Sequence, residues 1–287
     1  ANIPLILWGD PGQGKTQVIL RFAKLLDRHP ETIIASIREP QDFIGLPALN
    51  GDSMNYYPPT WAKTLSNQKR AGILFFDEIS TAPPSVQAAL LRVCLERVVG
   101  ELALPAETRI IAAANPAGIA ADGWDLSAPL ANRFCHIEWK LPTSIVIKGF
   151  QEGWPHYDIP PLDEVELEKD FQEEKHLIGD FLKHEQGVNK KSVDSNTDTK
   201  TDIRGFATPR SWEMAAKASA AVTNLGLDEP LRELLLIGCV GKAAGKAYFV
   251  YRNEKDLVDP EEIIKDPMMK LDLRPDKAHR MGHAVLR

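Results

Sequence analysis

The chain has 287 residues, 44% hydrophobic and 26% charged, an ordinary composition for one large or two modest globular domains. Its net charge of −6 gives no global basic field for nucleic acid or an anionic membrane, although a local basic patch stays open. The three cysteines, Cys94, Cys135 and Cys239, are widely spaced and odd in number, which suits a reducing compartment and excludes a C-x-x-C zinc ribbon or a paired disulfide framework.

In chain order, Ile3–Trp8 is a short apolar run that reads as a strand buried on both faces. After Lys15, Val18, Ile19, Phe22, Leu25 and Leu26 recur at helical spacing. Thr32–Ile37 and Ala71–Phe76 predict further buried strands, and Pro83–Leu95 a helix through Val86, Ala89, Leu90, Val93 and Cys94. Arg109–Ala114 and Phe134–Trp139 complete five strands separated by helices or long crossings. That alternation predicts an α/β fold with a parallel five-stranded sheet and helices on both faces. Beyond Leu141-Pro142 the strand signal fades. Glu164–Lys175 predicts an acidic, solvated helix face, Gly187–Asp202 a polar loop, and Thr208–Asn224 and Leu231–Val250 two helices. The expected organisation is 1–142 as α/β core, 143–252 as helical region and 253–287 as tail. No apolar run approaches the roughly 18 residues of a membrane span and no charged-then-apolar leader opens the chain, so a soluble cytoplasmic protein is expected. The chain opens at Ala1 on the edge of a strand, and a preceding segment is expected.

Between the first strand and its helix lies Gly9-Asp10-Pro11-Gly12-Gln13-Gly14-Lys15-Thr16, a full G-x-x-x-x-G-K-T pattern. It is either a tight turn without chemistry or a phosphate cradle. Glycine at about 7% of residues makes a chance match in such a chain roughly one in a hundred, and the strand-to-helix context favours the cradle. Glycines let successive backbone N–H groups turn inward, and the helix N-terminus adds the positive end of its dipole. Lys15 then reaches the β- and γ-phosphates of ATP while the Thr16 hydroxyl ligates Mg²⁺. The strand Ile73–Phe76 delivers Asp77 and Glu78 at its C-terminal end, where α/β sheets bind ligands. Asp77 is expected to hold Mg²⁺ directly or through its water, and Glu78 to take a proton from the attacking water. Alone, an apolar strand ending in Asp-Glu is a weak signal; beside the cradle it is a strong one.

The order G-D-P-G-Q-G-K-T, I-L-F-F-D-E-I, A-A-A-N-P, L-A-N-R-F resembles the AAA+ ATPases, densely over residues 3–142 and loosely over 205–250. P-P-S-V-Q-A-A-L-L-R-V-C-L-E-R resembles their MoxR branch in its glutamine, paired leucines and closing Glu-Arg. The resemblance implies that the helical region is a lid and that Asn115 is the first sensor of the γ-phosphate. It implies that Arg133 is an arginine finger acting on a neighbour's nucleotide, a contact worth about 10³–10⁵ in rate. Arg210 of Thr208-Pro209-Arg210 matches the second sensor, with Thr208 capping and Pro209 at the first helical position. Taken alone, Asn115-Pro116 is also a turn signal, Arg133 an ordinary surface arginine, and T-P-R a common triplet. The family's linker before the first strand, which helps hold adenine, is not in this sequence, so adenine specificity rests on the resemblance.

Asn50-Gly51 is a hairpin signal followed by Tyr56, Tyr57 and Trp61. The resemblance implies an insertion facing a ring pore or client; packing of the aromatics onto the core is the plainer expectation. Arg97–Leu102 suggests a second hairpin. Trp8 is expected in the core. His279 and His283 share i, i+4 spacing, but Gly282 and the lack of an acidic partner argue against a metal.

The leading expectation is a Mg²⁺-dependent ATPase that assembles as a homo-oligomeric ring, a hexamer by resemblance, and remodels protein complexes, with a von Willebrand factor A domain protein or another client as partner. A nucleic-acid motor or loader is the alternative, disfavoured by the acidic balance and the lack of a basic stripe interleaved with aromatics. A third reading is an ATP-gated scaffold with little turnover, against which Glu78 argues.

Overall fold

The structure, a computed structural model, describes residues 2–67, 71–116, 124–154, 160–184 and 204–254. Its elements begin with β1 (Leu5–Trp8), α1 (Lys15–Leu25), β2 (His29–Ile34), α2 (Gln41–Ile44), β3 (Leu46–Asn50), β4 (Ser53–Tyr57) and α3 (Thr60–Asn67). They continue with β5 (Gly72–Asp77), α4 (Pro84–Glu96), β6 (Val98–Val99), β7 (Leu102–Ala103), β8 (Arg109–Ala114), α5 (Ala128–Ala131) and β9 (Cys135–Glu138). Five further helices follow: α6 (Thr143–Glu152), α7 (Glu164–His184), α8 (Pro209–Asn224), α9 (Glu229–Val240) and α10 (Lys242–Glu254).

Strands pair in the order β2-β5-β8-β1-β9, every pair parallel. Alternation along each strand sorts the core into two layers. Ile6, Leu74, Phe76 and Ile110 meet Phe43, Trp61, Leu65, Val86 and Leu90 from α2, α3 and α4. Leu7, Ile73 and Phe75 point the other way, onto Ile19 and Ala23 of α1. The helical region packs on the outer edge of the sheet: Phe181, Trp212 and Tyr248 share a cluster with Cys135 and, at its margin, Ile3, Leu5 and Ile137. The expected five-stranded parallel sheet followed by helices is therefore what the chain forms.

Several boundaries differ from expectation. β2 runs over His29–Ile34, three residues earlier than the apolar signal Thr32–Ile37, because Ala35–Ile37 turns into a 3-10 helix. Its Pro30 and Glu31 hid a strand that pairs on one side only, where proline is tolerated. The helix expected over Leu231–Val250 is two, broken at Gly241, whose φ of 87° and close approach to the Gly205 carbonyl admit no side chain. α7 extends to His184, and its acidic face is not wholly solvated, since Glu174 is only 4% exposed. Trp8 is half-buried rather than in the core proper.

Both hairpins are present. Gly51 takes φ 63° at the β3–β4 turn, and the Arg97–Leu102 segment forms β6–β7. They abut through Glu101, which accepts from the Tyr56 N–H and Asn55 Nδ2, both at 3.2 Å. Of the aromatics expected to pack, Trp61 does so; Tyr56 and Tyr57 stay exposed. The polar loop over Gly187–Asp202, the tail beyond Glu254, and His279 with His283 lie outside the described residues. Among the described residues no helix is long and apolar enough to cross a membrane.

Candidate active site

The tips of three neighbouring strands supply the site. β1 ends at Trp8, and the Gly9 N–H donates to Ala114 O of β8 at 3.2 Å. A Cβ on Gly9 would collide with the Trp139 carbonyl, so glycine is required where β9 passes. The chain then turns over Asp10-Pro11-Gly12-Gln13, where the Gln13 N–H reaches back to Asp10 O at 3.4 Å. Proline at the second position and Gly12 at φ 76° at the third are the residues a type II turn needs. Gly14, at φ 72°, caps α1. A Cβ at Gly12 or Gly14 would meet nothing within 4 Å, so the loop stands over open space.

Lys15 opens α1 and is 8% exposed. Its Nζ donates to Gly9 O at 2.5 Å, Asp10 O at 3.0 Å and Asn115 Oδ1 at 3.0 Å. Burial lowers its pKa from the ordinary lysine value, against the upward pull of Asp77 and Asp10, so the ammonium gains from an anionic ligand. One residue on, the Thr16 hydroxyl donates to Asp77 Oδ2 at 2.7 Å. These two oxygens form a hard donor pair that fits Mg²⁺, which keeps most of its waters and takes only one or two protein ligands.

Asp77 ends β5, and its Oδ1 accepts the Glu78 N–H at 3.0 Å. Glu78 follows in the left-handed region at φ 56°, a costly conformation for this residue and one met at functional sites. Its Oε2 accepts from the Ser36 hydroxyl at 2.7 Å, which ties β2 to the acid pair. Asn115, just past β8, is held by a hydrogen bond from its N–H to Ser80 Oγ at 3.1 Å.

Arg133 lies elsewhere. β9 pairs with β1 from Leu5↔Cys135 to Trp8↔Glu138. Arg133 precedes the first of these rungs and the cradle follows the last, so about 13 Å of strand separates the two ends at ~3.3 Å per residue. The Arg133 guanidinium donates to Pro129 O, and its Nε is buried without a partner among the described residues. Burial lowers its pKa, and the charge of Arg210 lowers it further. Arg210 arrives there because α8 is anchored: the Thr208 hydroxyl donates to Asn132 Oδ1 at 2.8 Å, and Asn132 Nδ2 donates to Phe206 O at 3.1 Å. The residues proposed from sequence thus form two groups, Gly9–Thr16 with Asp77, Glu78 and Asn115, and Arg133 with Arg210. The charge of Arg210 acts on Arg133.

Residues 4–134 match the family model of the AAA domain, dynein-related subfamily. This part of the chain is similar to an AAA domain. The likeness in fold extends through the helical region: a crystal structure of a "putative ATPase" from Cytophaga hutchinsonii ATCC 33406 aligns over 95% of this chain and 86% of that one, at 17% identity and a TM-score of 0.50. No curated protein matches the sequence. Sequence reasoning missed three residues that contact the candidate site, Ser36, Ser80 and Trp139. Each sits just past the end of a strand or within a short turn and carries no motif; only the pairing of β2 with β5 and of β9 with β1 brings them in.

Proposed function

We propose that the chain is a Mg²⁺-dependent ATPase of the MoxR-like branch that works as a ring and remodels or matures protein complexes. The observation that carries the nucleotide reading is the convergence of Lys15 Nζ on Asn115 Oδ1 beside Thr16 Oγ on Asp77 Oδ2. Those four side chains come from three neighbouring strand tips. In this reading the backbone of Asp10–Gly14 and Lys15 bind the triphosphate. Thr16 and Asp77 would hold Mg²⁺, which supplies charge neutralisation at the β- and γ-oxygens. Glu78 accepts the proton of the attacking water and Asn115 orients that water or the γ-phosphate. Arg133, at the far end of the sheet from its own cradle, completes the site of a neighbouring copy, with Arg210 beside it. Paired guanidiniums repel one another and suit a shared anion.

The MoxR-like assignment draws support from Gln87 of the motif in α4. Its side chain is buried, donates to Ala82 O and Asp125 O, and accepts the Ser127 N–H, which sets the start of α5 and so the approach to Arg133. A hexameric ring with a von Willebrand factor A domain protein or other protein client follows from that branch.

Steady-state ATPase assays with nucleotide-binding titrations test the reading. Glu78→Gln is expected to bind ATP as the wild type does and to lose at least about a hundredfold in turnover. Lys15→Ala is expected to lose binding itself. Unchanged turnover in Glu78→Gln would remove Glu78 from the mechanism and leave the ATP-gated scaffold as the better description.

A further inference from the structure

We infer that Trp139 is a positioning residue of the phosphate cradle, its indole N–H holding the Gln13 carbonyl outward so that the next amide, Gly14 N–H, faces the bound phosphate. The inference rests on the nucleotide reading of the site. The hydrogen bond from Trp139 Nε1 to Gln13 O is 2.8 Å long and part-buried. In a planar trans peptide the C=O and the following N–H point in opposite directions, so fixing one fixes the other. This peptide is the one most in need of fixing. It is followed by Gly14 at φ 72°, and glycine on the C-terminal side of a peptide lets the unit rotate at small steric cost. Nothing stands within 4 Å of where a Gly14 side chain would be, so packing does not hold the plane.

Trp139 is itself well fixed. Its backbone N–H donates to Trp8 O at 2.6 Å, its carbonyl lies against Gly9, and its ring packs on the cluster of Leu7, Ile19 and Ala23, with Val18 at its margin. The loop is thereby held from two sides. Lys15 Nζ holds the Gly9 and Asp10 carbonyls, and Trp139 Nε1 holds that of Gln13. Asp10 is followed by Pro11, which has no N–H to aim, so the Gln13–Gly14 peptide is where an oriented carbonyl yields an oriented donor.

Calorimetric titration of the full chain with inorganic tripolyphosphate and, separately, with ATP tests this. Wild type is expected to bind both. Trp139→Phe keeps an apolar ring and removes the N–H; it is expected to weaken both ligands by the same factor, about fivefold to tenfold, the worth of one hydrogen bond, with only a modest fall in melting temperature. Replacement of Trp139 by benzothienylalanine, which puts sulfur in place of the N–H in a ring of the same shape, is expected to reproduce that loss and decides the matter if the phenylalanine variant folds poorly. Equal affinities in wild type and both variants would overturn the inference and leave the nucleotide reading intact. Loss of ATP affinity with tripolyphosphate unaffected would overturn it in favour of a contact with the base. A wild type that binds neither ligand would overturn the nucleotide reading and this inference with it.

Discussion

Ser36 and Glu78 show how much a single hydroxyl can decide. The Glu78 carboxylate sits on an exposed turn with a left-handed backbone, and the 2.7 Å bond from Ser36 restricts where it points. Ser36→Ala removes that restraint and leaves every triphosphate contact in place. Turnover is expected to fall several-fold through lost orientation while ATP affinity stays within about twofold, a kcat effect measurable at saturating ATP. His136 makes a different residue-level prediction. It accepts from Trp8 Nε1 at 2.9 Å through Nδ1 and so donates from Nε2 to Ala131 O, a neutral imidazole in fixed tautomer. Burial pulls its pKa from 6.5 down to about 4, only partly offset by the Ala131 bond. The unfolded chain therefore binds more protons between these values, so the stability His136 contributes is complete above pH 6.5 and is lost as pH falls toward 4. The loss amounts to about 3 kcal/mol at 1.36 kcal/mol per unit. Denaturant unfolding at several pH values checks it, with His136→Gln expected to flatten the slope over that window.

Among the elements, α8 carries the clearest local logic. Thr208 accepts from the Ser211 N–H at 3.1 Å, the Ser211 hydroxyl accepts the Thr208 N–H at 2.8 Å, and Pro209 occupies the first turn where its missing N–H costs nothing. The same Thr208 hydroxyl reaches Asn132, so the cap that starts the helix also sets Arg210 beside Arg133. Thr208→Ala is expected to cost about 1–2 kcal/mol by thermal unfolding, as lost caps do. Deeper in the helical region, Glu174 of α7 accepts from Tyr248 at 2.6 Å and from Arg252 at 2.5 Å, and lies 3.9 Å from buried Arg232. Removing one member strands the others away from water. Glu174→Ala is expected to destabilise by about 3–5 kcal/mol, well beyond a surface ion pair.

For the whole molecule, β9 is the member that joins the parts. Trp139 past its C-terminal end touches the cradle, Arg133 before its N-terminal end faces away, and Cys135 and Ile137 bind the helical region. On the proposed ring reading, a single chain has an incomplete site. Mixing Arg133→Ala subunits, which keep an intact cradle, with Lys15→Ala subunits, which keep an intact arginine, is expected to restore part of the turnover that each lacks alone. Absence of any complementation, with both variants shown to co-assemble, would count against action across an interface.

The cradle and the acid pair were legible in the amino-acid order because their residues are contiguous: three glycines, a lysine and a threonine after one apolar run, two acids after another; Asn115 was reached only through the family resemblance. The five strands were legible too, since four carry dense apolar runs; β2 slipped by three residues because Pro30 and Glu31 dilute it at the sheet edge. What the order could not express is which strand ends become neighbours. Ser36 meets Glu78 only because β2 pairs with β5, Trp139 meets Gln13 only because β9 pairs with β1, and Thr208 meets Asn132 only because the helical region packs on β9. Local pattern is set by periodicity and turn chemistry along the chain, whereas these contacts join residues 42 to 126 positions apart and exist only once packing has fixed the register.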